Sequence, residues 1–281
     1  MSFSKDVKEE LFSVIPKSRH CMVAELSGIF LLEGFDAFKK CSDDPLNRKV
    51  FTLLNKTLNI GKDVTALSND VLFETKKMLK LSEDGESVKN LVIQQPCCKR
   101  AFIRGTFLAG GSISDPNKGY HFEIVCNKEA QALQLTNVMN TFDVMTKYVF
   151  RNGKYVVYLK EGGQIVEILR VMEAAHSVME LENIRVVKEV RGTVNRKVNC
   201  ETANIGKTVN AAVRQIEAIN LIEEKIGIDA LPPQLQEIAQ VRLDNPDTPL
   251  GSLGQFLNPP IGKSGVNHRL KKLVQIAEDL K

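Results

Sequence analysis

Two nine-residue stretches carry the same arrangement of apolar and small positions: Leu26 to Gly34 (Leu-Ser-Gly-Ile-Phe-Leu-Leu-Glu-Gly) and Ile103 to Gly111 (Ile-Arg-Gly-Thr-Phe-Leu-Ala-Gly-Gly). Each predicts an apolar helix with glycine at its third position and glycine closing it at its ninth. The offset of 77 positions between Leu26 and Ile103 reads as an internal duplication. In the second copy Gly105 and Ala109 stand four apart, on one helical face whose lack of bulk lets another helix approach closely. A seam between two such helices is therefore expected at the centre of the amino-terminal region.

Around this pair the pattern predicts further elements. Residues 4 to 15 form a short helix capped by Ser4, with Val7, Leu11 and Val14 at helical spacing and Pro16 ending it. Phe35 to Cys41 reads as a strand, and Pro45 to Leu58 and Asn69 to Lys80 read as helices. After the helix at 97 to 110, Ser112 to Ser114 and Tyr120 to Cys126 flank a turn and form a hairpin. A helix at 128 to 141 follows. Val144 to Phe150 and Lys154 to Lys160 then pair through Asn152-Gly153, a type I′ hairpin signal, before helices at 162 to 171 and 173 to 181. The second repeat is thus complete and the first lacks hairpins.

Alternation sorts the second hairpin into two faces. Thr146, Tyr148, Phe150, Tyr155, Val157 and Leu159 turn to the core, leaving Lys147, Arg151, Lys154, Tyr158 and Lys160 outside without an acid among them. That face suits phosphate contact, and an ordinary solvated sheet face accounts equally for its lysines.

Beyond Asn183, Ile184 to Arg214 carries seven basic residues, Lys197 and Lys207 among them, against two acids. Val190 to Asn199 reads as linker, and a helix then runs to about Ile226. The last 50 or so residues are compact in pattern: a helix opened by Pro232-Pro233 and stopped before Asn245-Pro246, a second at Leu250 to Leu257, and a third capped by Ser264, with Val266, Leu270 and Leu273 inward. Lys263, Ser264, Asn267, His268, Arg269, Lys271 and Lys272 lie off that core. A short helix, a turn and a third helix offering Asn, His and Arg near its start is an arrangement that reads a major groove, with lysines suited to phosphates.

Composition narrows the class. A chain of 281 residues, 43% hydrophobic, can bury a sizeable core, and a net charge of +4 neither demands nor excludes nucleic acid. The six cysteines show no CxxC spacing and the four histidines are scattered, so the spacing shows no zinc motif. Unpaired thiols in a reducing compartment, and no cofactor, are the expectation. The amino terminus has no apolar signal core and no later segment is a membrane span, so a cytoplasmic protein is expected.

The paired helices resemble the LAGLIDADG helix of the homing endonucleases, which places an acid at its eighth position over DNA. Here Glu33 and Gly110 occupy those positions, so the resemblance implies no two-carboxylate metal site and no catalytic residues. Taken with Val198-Asn199-Cys200-Glu201-Thr202-Ala203-Asn204 and Leu257-Asn258-Pro259-Pro260-Ile261-Gly262-Lys263-Ser264-Gly265-Val266-Asn267-His268-Arg269-Leu270, nearly the whole chain resembles the WhiA regulators of Gram-positive bacteria. That resemblance implies an α+β, LAGLIDADG-like domain at 1–183 (repeats about 20–95 and 96–183, the first partly degenerate). A basic linker and helix at 184–228 and an all-α helix-turn-helix domain at 229–281 follow. It implies a nucleoid-associated, non-catalytic, sequence-specific DNA-binding regulator linked to sporulation, cell division or chromosome segregation, with double-stranded DNA and transcription, division or segregation proteins as partners. Base and phosphate contacts are expected from Lys263, Ser264, Asn267, His268, Arg269, Lys271 and Lys272, with further phosphate contacts from Lys147, Arg151, Lys154, Lys160, Lys197 and Lys207. An endonuclease and an interaction protein of the division machinery stay open as alternatives.

Overall fold

The computed structural model describes residues 2–58, 64–82 and 84–281. The chain divides into two compact units, Met1–Lys188 and Glu189–Lys281.

The first unit is built on the predicted seam. Helix α1 (Phe3–Ser13) precedes α2 (Arg19–Glu33), and α3 (Pro45–Thr57), α4 (Asn69–Leu79) and α5 (Pro96–Gly110) follow. Every residue of α2 from Cys21 to Leu32 is buried, as expected of a helix apolar on all sides. Close approach to α5 is made possible by reciprocal glycines. A Cβ on Gly28 would lie 2.6 Å from the Phe102 carbonyl oxygen, and one on Gly105 would lie 2.2 Å from that of Glu25. Gly28, the counterpart of Gly105 in the first copy, thus shares the contact that the sequence assigned to Gly105 and Ala109.

A buried ion cluster crosses the same seam. Glu25 receives Arg104 through Nη2 at 2.9 Å and Nε at 3.1 Å, and Lys49 Nζ lies 2.9 Å from its other oxygen. Lys49 also donates to the carbonyls of Leu11 and Val14, and Arg104 to Glu173 and the Met172 carbonyl. These partners offset the desolvation of charges placed on the core side of a helix. Burial pushes the Lys49 pKa down, and Glu25 opposes that shift.

From α5 the chain enters a four-stranded antiparallel sheet of order β1-β2-β4-β3, made by Gly111–Ile113 (β1), Phe122–Cys126 (β2), Lys147–Arg151 (β3) and Lys154–Leu159 (β4). Helix α6 (Glu129–Asn140) joins β2 to β3, and α7 (Gly162–Val171) follows β4. Asn152 and Gly153 both take positive φ, 52° and 75°, as a type I′ turn requires. Phe122, Ile124, Cys126, Val157 and Leu159 form the buried face, with Phe107 stacked on Phe122 at 5.3 Å. Phe150 departs from expectation. It lies on edge strand β3, is 62% exposed, and packs its ring on Tyr155 at 4.9 Å.

Three local expectations are corrected. Phe35 to Cys41 is not a strand: Asp36–Phe38 is a 3-10 turn that puts Phe35 and Phe38, three apart, onto Phe30 at 4.7 and 5.2 Å. Helix α1 begins after Ser2, and Ser4 accepts a hydrogen bond from the Ile113 amide. The third correction concerns Val190 to Asn199, which is helix: α8 runs unbroken over Ala175–Lys225. Val190, Val194 and Val198 recur every four residues on one of its faces and are about half exposed.

Candidate nucleic-acid interface

The second unit packs α9 (Pro233–Asp244), α10 (Leu250–Leu253) and α11 (Lys263–Asp279) on the end of α8. Its core joins Ile219 and Ile222 to Leu235, Ile238, Leu253, Leu257, Val266, Leu270 and Leu273. The expected second helix is shorter than its apolar pattern suggested. One α turn passes at Gly254 into a 3-10 turn ending at Phe256. At Gly254 the chain doubles back so closely that a Cβ would sit 2.0 Å from the Ile261 carbonyl oxygen, and the Ile261 amide donates to the Gly254 carbonyl at 3.0 Å. This contact fixes where α11 starts.

The turn between α9 and α10 is held by a residue that the sequence reading passed over. Arg242, 2% exposed, directs Nη1 to the carbonyls of Asn245, Pro246 and Thr248 at 3.3, 3.2 and 2.9 Å. Burial lowers its pKa from the usual guanidinium value. The signal available in the sequence was weak: an arginine at the end of an apolar helix, just before a proline-rich turn whose carbonyls have no helical partners.

Helix α11 is capped by Gly262, and Ser264 makes no capping bond. Val266, Leu270, Leu273 and Ala277 are buried, so at 3.6 residues per turn Ser264, His268 and Lys271 share the opposite side and are exposed there, with Lys263 and Lys272 also exposed. Asn267 is half-buried at one flank of this stripe. Arg269 lies at the other flank, against α9: its Nη1 is 3.6 Å from a Glu237 carboxylate oxygen and 3.5 Å from the Gln234 carbonyl. Glu237 also accepts from the Asn258 amide at 2.7 Å, so one carboxylate ties α9 to both α11 and the loop before it. The expected reader Arg269 thus has two acceptors of α9 within reach.

Among the expected phosphate-contacting residues, the structure brings Lys207 and Lys263 to one cavity of about 440 Å³, which Thr208, Gln215 and Arg242 also line. Lys197 is exposed on α8. In the first unit Lys147, Arg151, Lys154 and Lys160 are exposed; Arg151 pairs across the hairpin with Lys154, which donates to Asn127. The neighbouring strand adds Glu123 to the same face, where it accepts from Ser112 and lies 3.0 Å from His121. Glu33, exposed, ends α2. Gly110 ends α5 so close to β2 that a Cβ would lie 2.7 Å from the Val125 carbonyl oxygen, so the strand leaves no room for a carboxylate there.

The arrangement agrees with what related proteins show. The family description "WhiA LAGLIDADG-like domain" matches residues 99–191, and "WhiA C-terminal HTH domain" matches 194–277. A protein of Lachnoclostridium phytofermentans named "Probable cell division protein WhiA" is 44% identical over the full length of both chains. The chain belongs to the WhiA family. A Clostridium beijerinckii WhiA of the same name is 43% identical over all of this chain and 99% of its own. The crystal structure of full-length WhiA from Thermatoga maritima superposes with a TM-score of 0.57 at 25% identity, covering 100% of this chain and 99% of that one. The WhiA fold, a LAGLIDADG-like domain followed by a helix-turn-helix domain, is therefore the fold of this chain. Among the described residues, no helix is long and apolar enough to cross a membrane.

Proposed function

We propose that the chain is a sequence-specific, non-catalytic DNA-binding regulator of transcription that acts in cell division, with sporulation and chromosome-segregation genes among its targets. The observation that carries this reading is the stripe Ser264, His268 and Lys271 on the free side of α11, flanked by Lys263 and Lys272 and backed by a fixed core. A helix so presented enters a major groove, with Asn267 and His268 reading base edges and the lysines on phosphate. Arg269, held by Glu237, sets the angle of the helix. Lys197 and Lys207 on α8, and Lys147, Arg151, Lys154 and Lys160 on the sheet, add phosphate contacts in the cytoplasm at the nucleoid. The names of the WhiA relatives support the link to division. The lack of space at Gly110 supports the absence of nuclease chemistry.

The test is selection of genomic fragments by the intact protein, then salt titration on the selected and a scrambled duplex. His268→Ala should lose about 1 to 3 kcal/mol of discrimination between the two. Lys147→Ala should weaken both alike and lower the slope of log affinity against log salt by about one. Selection that returns fragments with no common sequence overturns the reading.

A further inference from the structure

The two seam helices begin as they cross, side by side, and their first turns carry reactive side chains. His20 and Cys21 are the second and third residues of α2, and Cys97 and Cys98 are the second and third residues of α5. Both pairs are related by the 77-residue offset of the repeat. Although 77 positions separate them, one donor atom from each of the four lies within 4.8 Å of all the others. His20 Nδ1 is 3.1 Å from Cys98 Sγ and 3.4 Å from Cys21 Sγ.

We propose that His20, Cys21, Cys97 and Cys98 form a tetrahedral Cys₃His site for a thiophilic divalent cation, zinc in the first instance, at the base of the helix seam. Zinc takes sulfur at about 2.3 Å and imidazole nitrogen at about 2.0 to 2.1 Å, so tetrahedral geometry asks for edges of roughly 3.6 to 3.8 Å between donors. The separations here reach that by small side-chain rotations. Three sulfurs and one imidazole select a soft or borderline ion, and the absence of a carboxylate in the quartet disfavours magnesium and calcium.

Burial and charge fit the same use. Cys21 and Cys98 are buried while His20 and Cys97 are exposed, so the quartet has a closed inner side and an open outer one for entry. A cavity of about 590 Å³ reaches His20 and Cys98 from solvent. All three thiols sit at helix amino termini, where the backbone dipole favours negative sulfur. Each thiol that ligates releases its proton to solvent as the ion binds. Because each repeat supplies two ligands, the ion would clamp the starts of α2 and α5 together.

The experiment is titration of the reduced, chelator-treated full chain with Co²⁺ as optical probe. Expected are saturation at a single ion per chain, thiolate-to-cobalt charge transfer, strong tetrahedral d–d bands, and displacement by Zn²⁺. Cys97→Ser and His20→Ala change exposed side chains and leave the core intact, so a folded variant is assured a reading. Each should weaken Co²⁺ by more than about 100-fold, since even outer-shell partners of ligands cost about 10- to 100-fold. Weak octahedral absorption, binding unchanged in both variants, or a stable disulfide among Cys21, Cys97 and Cys98 in protein isolated without oxidant would overturn the assignment. DNA binding is not a readout here, so the outcome is separate from that of the proposed function.

Discussion

Replacing Gly105 with alanine isolates the contact on which the first unit depends. The new Cβ would meet the Glu25 carbonyl oxygen at 2.2 Å, where ordinary contact begins at 3.4 Å, so α2 and α5 must part by about 1.2 Å. Helix propensity works the other way, since alanine in a helix interior gains about 1 kcal/mol over glycine. Overpacking a close-packed seam costs about 1 to 3 kcal/mol. The same displacement stretches the Glu25 bonds to Arg104 and Lys49, and full rupture of a buried pair costs about 3 to 5 kcal/mol. A net loss of about 2 to 4 kcal/mol follows, or roughly 5 to 15 °C in Tm for a unit of this size. All four tyrosines lie between Tyr120 and Tyr158 and the chain has no tryptophan, so near-ultraviolet dichroism in the tyrosine band follows the first unit alone. Gly206→Ala in the second unit, followed by far-ultraviolet helix dichroism, is the control: that helical glycine has nothing within 4 Å of a new Cβ, and the same substitution should stabilise by about 0.5 to 1 kcal/mol. If Gly105→Ala melts at or above the parent temperature, the seam does not require a bare backbone and the reasoning fails.

Further outcomes are expected. Arg242→Met removes the cation that three turn carbonyls share, and should destabilise the second unit by about 2 to 4 kcal/mol in urea titration and abolish binding to every duplex; a stable variant would show that the turn holds itself. Glu237→Gln should leave overall stability within about 1 kcal/mol yet alter site preference by releasing Arg269, and unchanged discrimination would place Arg269 outside recognition. Plasmid and selected duplex incubated with Mg²⁺ or Mn²⁺ should stay intact, and nicking that disappears in Glu33→Ala would restore the endonuclease reading. Trypsin should cut first between Arg191 and Lys207, where α8 is exposed on nearly all sides, and cutting only on global unfolding would count against independent units.

What the sequence disclosed and what it concealed divide along physical lines. The seam, the hairpins and the core of the carboxy-terminal unit rest on local period and turn chemistry, and each was readable from residues such as Gly28, Gly105, Asn152 and Leu270. Phe35 to Cys41 failed because its aromatics pack by contact with Phe30, which local alternation cannot report. The linker reading failed because Val190, Val194 and Val198 stand alone between polar residues, so a face four residues in period went unnoticed. The Cys and His quartet was hidden for the opposite reason. Its pairs are adjacent in sequence, and only the superposition of two helix starts gathers them, so a search for CxxC spacing looks in the wrong dimension. For Arg269, exposure judged from the apolar face alone missed Glu237, which sits on another helix.

The duplication also explains why the seam forms between the two copies. Across the 77-residue offset Glu25 corresponds to Phe102, and Arg104 to Ser27, so the acid comes from one copy and the guanidinium from the other. Pairing α2 with a second α2 would set two glutamates on the buried face, and pairing α5 with a second α5 would set two arginines there, each without its counter-charge. Leaving a buried charge uncompensated costs about 3 to 5 kcal/mol, a large fraction of the roughly 5 to 15 kcal/mol surplus that holds most domains together. The reciprocal glycines permit any of these pairings, since both copies have them. Charge decides among them: the glycines set how close the helices come, and Glu25 with Arg104 sets which helices meet.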